Sequence, residues 1–215
     1  GAINLTTTGA NRVLTIASTV TGSGGITYTA DNMTLGGTTA PGAGATVLLA
    51  STAATAINVG VGATDSAGVL GLSQAELATI SGTGTITIGS GANTGGIVET
   101  GTLNIARDFF FTTGTTVAIN AVIGGTTPVT SLTVTGPSGI TIAANITGNG
   151  NSLTFNSPVT LATNTVLTDS GDITFVSTVN SDGTTRDLNV VSTAGSIFFN
   201  GAVGNTAALG ALVLN

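Results

Sequence analysis

The chain has 215 residues, of which only 6% are charged, a net charge of −6, 33 glycines, and neither cysteine nor histidine. Its three basic residues are all arginine, too few to neutralise a phosphate backbone or an anionic lipid surface, so nucleic acid is not expected as a partner. Without Cys or His there are no thiol nucleophiles, disulfides, usual zinc sites or imidazole acid–base groups.

In chain order, the recurring unit is apolar–polar–apolar, often with Thr in the middle, bounded by Gly, Asn, Asp or Ser: a short strand between turns. The N-terminal half gives Ile3–Leu5, Val13–Ile16, Ile26–Tyr28, Met33–Leu35, Val47–Leu49, Ile57–Val61, Ile86–Ile88, Leu103–Ile105, Phe109–Phe111 and Val117–Ile119. Residues 36–45, GGTTAPGAGA, are the most loop-like stretch and are read as an excursion from one coil. Residues 72–80, LSQAELATI, break the pattern: Ser73 with Glu76 three residues on forms a capping-box signature, predicting one or two helical turns at a coil corner near residues 73–80.

The C-terminal half is more regular. Its triplets are Leu132–Val134, Ile140–Ile142, Leu153–Phe155, Val159–Leu161, Ile173–Phe175, Leu188–Val190, Ile197–Phe199 and Leu212–Leu214. Ile173 and Ile197, Leu188 and Leu212, and Val190 and Leu214 are all 24 residues apart; Leu132 and Leu153 are 21 apart. Leu153 and Leu188 are 35 apart, which predicts an extra strand or a bulged corner between them.

A repeat of this length, built from short strands without helix, is the signature of a β-solenoid, in which each coil buries its apolar face on the next. The expected fold is all-β: a right-handed parallel β-helix with coils of about 20–25 residues. The register it predicts places Ile173 under Ile197, Phe175 under Phe199, and Val179 under Val203. Low charge suits such a stack, because like charges repeated every ~4.8 Å would repel along its length. No linker divides the chain, so residues 1–215 are read as one domain, a segment of a longer chain or a filament subunit. It opens at Gly1 in mid-pattern, as a processed product or an excised piece would. No apolar run reaches the length of a spanning helix, and aromatics at 4% are too sparse for the girdles of a transmembrane barrel.

Residues 69–106, VLGLSQAELATISGTGTITIGSGANTGGIVETGTLNIA, resemble the repeats of filamentous-haemagglutinin-like exoproteins, as does the C-terminal pattern LTV, ITIAANI, LTF, ITF. The likeness covers about half the chain. It implies a large right-handed parallel β-helix secreted by Gram-negative bacteria through the two-partner route, acting as an adhesin, fibre or toxin stalk. The repeats of that family carry no catalytic residues, and its N-terminal secretion signature is not evident here.

Candidate sites are few. Asp169, Asp172, Asp182 and Asp187 are the densest carboxylates; turn formation accounts for them, and the nonapeptide calcium-roll repeat is absent. Glu76 and Glu99 have no recognisable partner for paired-carboxylate chemistry. Asn4, Asn32 and Asn145 open Asn-x-Thr triplets, as chance allows in so Asn- and Thr-rich a chain. Phe110 lies between Phe109 and Phe111, and Phe198 between Ile197 and Phe199. If their neighbours face the core, Phe110 and Phe198 face outward and form a candidate interaction surface.

No catalytic residue, metal ligand or cofactor is expected. The sequence reading is a structural or adhesive β-solenoid at the bacterial surface or outside the cell. Its expected partners are another copy stacked head-to-tail, or its own continuation, and a host-cell, matrix or glycan receptor. The alternatives are a carbohydrate-binding or carbohydrate-active β-helix, similar to a tailspike or lyase, and a surface-layer or sheath subunit.

Overall fold

A computed structural model describes residues 1–215. The chain winds as an all-β parallel solenoid of about ten turns with one short helix. Strands follow from period-2 alternation: in Ile26–Thr29 and Asp172–Phe175 the apolar residues are buried and their neighbours face out.

Each full coil visits three faces. On the first, parallel partners run Ile3, Ile26, Thr46, Ile86, Phe109, Leu132, Leu153, Ile173 and Ile197. A second inward column on the same strands runs from Leu5 through Tyr28, Leu48, Ile88, Phe111, Val134, Phe155 and Phe175 to Phe199. The second face continues through Ile57, Ile97, Val117, Ile140, Val159 and Val179, and bridges to Val203. The third face is mostly isolated bridges, Leu103 to Ile123 to Ile146, until it becomes a ladder through Leu167, Val190 and Leu214.

The expected register holds. Ile173 pairs with Ile197 and Phe175 with Phe199, and Val179 bridges to Val203. Leu188 pairs with Leu212, and Leu132 with Leu153. The 35-residue step from Leu153 to Leu188 does hold extra strands, but these two residues do not share a column. Leu153 lies under Ile173 on the first face, and Leu188 over Thr165 on the third. The strand Ile146–Phe155 turns the corner between those faces, which is why both look like the same position in sequence.

One cluster of 38 buried residues forms the core along the axis. Burying each aliphatic side chain contributes roughly 1.5–3 kcal/mol, summed coil by coil. Aromatic rings continue the column at the C-terminal end: Phe155, Phe175 and Phe199 stack with centroids 5.2 and 4.8 Å apart.

One expectation needs correction. Residues 36–45 are not an excursion. Thr39–Ala40 is a strand paired with Val20–Thr21, and Thr39 is fully buried and bridged to Ile80. The true excursion lies between Thr46 and Ile86, adjacent rungs of the first face that are 40 residues apart in sequence. Within it, Ala56–Val59 pairs with Ile97–Glu99 on one side and Val69–Leu72 on the other, so the chain steps backward along the axis. The corner after Ala56–Val59 is Gly60 at φ +108°, whose missing Cβ lets the Gly101 carbonyl approach. The helix Gln74–Leu77 closes the step, with Ser73 as N-cap and a complete capping box to Glu76, as the sequence predicts.

Candidate functional site

The backward step breaks the ladder. Strand Asn32–Leu35 faces Val69–Leu72 with no backbone pairing between them, and two carboxylates fill the seam. Asp65 accepts from the amides of Met33 and Gly71, both at 2.8 Å. Glu76 accepts from the amide of Leu35 at 3.2 Å and from both the amide and hydroxyl of Ser73. Burial pushes the Asp65 carboxyl up, its two amide donors pull it down, and nearby Glu76 raises it; the net shift is upward. Arg107 plays the opposite part: its guanidinium donates to the carbonyls of Ile80 at 2.7 Å and Gly84 at 2.6 Å. Burial lowers its pKa against the pull of Asp108. Charged side chains thus stand in for the missing strand partners.

All three concavities of the molecule gather around this irregular coil. The largest, about 490 Å³, lies beside the helix and is lined by Val61, Gln74, Ala78, Asn104 and Ile105 among others. Gln74 accepts there from the Asn104 amide at 2.7 Å. A second, about 410 Å³, opens onto Asp65 and Glu76. The third, about 210 Å³, is a polar notch between Arg107, Asp108, Thr83 and Thr130. Asp65, Glu76 and Arg107 already hold backbone partners with their polar ends, so the two larger hollows present mainly small apolar and hydroxyl groups.

Asp169, Asp172, Asp182 and Asp187 do not converge, and no three acidic side chains come together. Asp172 accepts from the Ser196 amide and Asp187 from the Ala211 amide, each one coil further on. Asp182 forms an exposed ion pair with Arg186 at 2.8 Å. Asp169 is fully buried and accepts from Gly150 and Gly171, while its other oxygen lacks a partner. Asparagines bridge coils in the same way: Asn104 to Thr126, Asn145 to Val166, Asn164 to Asp187 and Asn180 to Thr206. Asn32, by contrast, has a buried, unpartnered side-chain oxygen.

Glu99 is the most perturbed acid. It sits inward between Val59 and Ile119, fully buried, with Oε2 accepting from the Ala121 amide at 2.6 Å and Oε1 without a partner. Burial raises its pKa to about 7, against the pull of the Ala121 and Asn120 amides. Period-2 alternation in Ile97–Val98–Glu99 already puts it on the inward face, a signal that a search for paired carboxylates passes over. Asp31 is also buried, but hydrogen bonds from Thr52, Ser51 and Asn11 surround it. Burial acts to raise its pKa, and the Thr52 and Ser51 donors outweigh it, leaving it lowered.

Phe109 and Phe111 are buried and stack edge-on. Phe110 faces outward and is half-buried. Phe198 faces outward with 44% of its surface exposed. Both belong to the outward central column of the first face: Thr87, Phe110, Thr133, Thr154, Thr174, Phe198. Leu212, Val213 and Leu214 are exposed on the last coil, and no helix is long and apolar enough to cross a membrane.

Comparison with known protein families, with curated proteins and with solved structures finds no match to this chain.

Proposed function

We propose that this chain is a structural and adhesive segment of an extracellular bacterial rod, of the filamentous-haemagglutinin kind that its repeats resemble. The observation that carries the reading is the continuity of the first-face columns from Ile3 to Ile197 and from Leu5 to Phe199. Stability then adds up over coil interfaces, and a stack of this kind resists bending because every rung is tied to its neighbours. The polar residues follow the same logic: most acids and several asparagines bond to a backbone amide about one coil away.

Ile3, Leu5 and Leu14 at one end, and Ile197, Phe199 and Val203 at the other, are only partly covered. An open solenoid end is a template for strand addition. In this proposal a further coil seats there, from a second copy or from continuing chain.

Electron microscopy and fibre diffraction of the native material test the reading. Stiff rods on the cell surface, with a meridional repeat of about 4.8 Å along the rod, are expected. Compact particles without that repeat, or material confined to the cell interior, would overturn it.

A further inference from the structure

We infer that the outward first face is a binding platform for a linear, uncharged polysaccharide lying along the solenoid axis between Phe110 and Phe198. The inference rests on the adhesive reading above and names the class of ligand the rod would hold.

Two of the seven phenylalanines point outward, and register puts both in one column of one face. The other aromatic residues belong to the core or pack against it: Tyr28, Phe109, Phe111, Phe155 and Phe175 are buried, and Phe199 is half-buried. The matching outward column on the second face, Asn58, Val98, Ala118, Thr141, Thr160 and Asn180, has no ring. Between the two phenylalanines stand Thr133, Thr154 and Thr174. Four strand spacings of about 4.8 Å separate the rings, roughly 19 Å in all. A sugar ring in an extended glycan takes up about one such spacing, so consecutive rings meet consecutive rungs.

The chemistry along this line suits sugars. The apolar face of a pyranose packs on an aromatic ring, and its hydroxyls need donors and acceptors beside that contact. The hydroxyls of Thr133, Thr154 and Thr174 make no side-chain hydrogen bond within the protein, unlike Thr135, which accepts from Asn156. The neighbouring outward column is Asp108, Ser131, Ser152 and Asp172. Asp108 accepts from the Ser131 hydroxyl through Oδ1, and Asp172 from the Ser196 amide through Oδ1, which leaves Oδ2 of each for a ligand hydroxyl. Beside Phe110, Asp108 also lines the polar notch with Arg107, Thr83 and Thr130, a hollow with room for groups projecting from the end ring.

Charge narrows the ligand. No basic residue lies among these outward columns, Arg107 in the notch is tied to the Ile80 and Gly84 carbonyls, and the chain carries −6 overall. Uronic-acid or sulfated polymers would be repelled, whereas neutral glucans, mannans, chitin and cellulose would not.

The test is retention of the intact protein on insoluble chitin and cellulose, and on an array of linear neutral and polyanionic glycans. The expected result is binding to at least one linear neutral polymer. The double variant Phe110→Ala/Phe198→Ala should weaken it about tenfold or more, because a sugar then has no ring to stack on at either end of the line. Thr154→Lys, in the middle of the line and without a partner to lose, should block the same binding and serves if the double variant fails to fold. Circular dichroism and electron microscopy of every variant report separately on the rod. Rods that form normally but bind no neutral glycan, or bind one equally well after all these substitutions, would overturn the platform while leaving the rod reading intact. Binding confined to polyanionic glycans would overturn it too.

Discussion

The region from Asp108 to Phe199 and the excursion from Ala56 to Gly84 solve the same problem by different means. In the first, each coil pairs in parallel with the next, and the inward columns alternate Leu, Val, Ile and Phe without interruption. In the second, the chain reverses its progress along the axis, and Asp65, Glu76 and Arg107 bond the backbone groups at the break. The regular stack draws its stability from repeated burial. The irregular coil depends on single polar groups that have no neighbouring copy. The irregular coil also produces every concavity of the molecule, while the regular stack produces a long, even face.

The sharpest way to break the regular region is to cut its ring column. Phe175 is sandwiched between Phe155 and Phe199, so Phe175→Ala should cost about 3–5 kcal/mol in chemical denaturation. Glu99 stands where the two regimes meet, paired with Val59 on one side and Ile119 on the other. Its folded pKa of about 7 lies above its unfolded value, so the folded state binds more protons between those two values. The stabilisation is therefore fully present below pH ~4.5 and is lost as pH rises through ~7, about 2–4 kcal/mol in all. Melting followed from pH 4.5 to 8 should show this fall in the wild type and a flatter profile in Glu99→Gln.

Smaller effects probe the excursion. Asp65→Ala removes the acceptor for two amides and should cost about 1–3 kcal/mol, with faster local proteolysis around residues 60–72 than elsewhere. Ser73→Ala removes the cap of the short helix, at about 1 kcal/mol. Arg186→Gln breaks only the exposed pair with Asp182 and should leave the melting temperature unchanged within error.

The fold was legible where spacing carried it. Ile173 under Ile197 and Leu188 under Leu212 follow from a constant 24-residue step, and the Ser73–Glu76 cap is readable within four residues. The backward step was not legible, because its cause is a contact at long range: Asp65 meets Met33 across 32 residues, with nothing in the Thr-Asp-Ser stretch to announce it. Thr39 misled for a related reason: Gly and Pro around it read as loop, yet it is buried and bridged to Ile80. The outward direction of Phe110 and Phe198 was readable from alternation. Their shared column was not, since the coils between them advance by 23, 21, 20 and 24 residues and no single period connects them.

In-register stacking of coils holds the solenoid together, and engineered disulfides test it directly because the chain has no cysteine of its own. Thr154 and Thr174 are parallel partners on the outward face, at a separation of about 5 Å that a disulfide spans. The account predicts that Thr154→Cys/Thr174→Cys crosslinks readily under mild oxidation, while Thr154→Cys/Val176→Cys, offset by two residues, does not. Equal crosslinking of both pairs, or crosslinking of the offset pair alone, would contradict the stack.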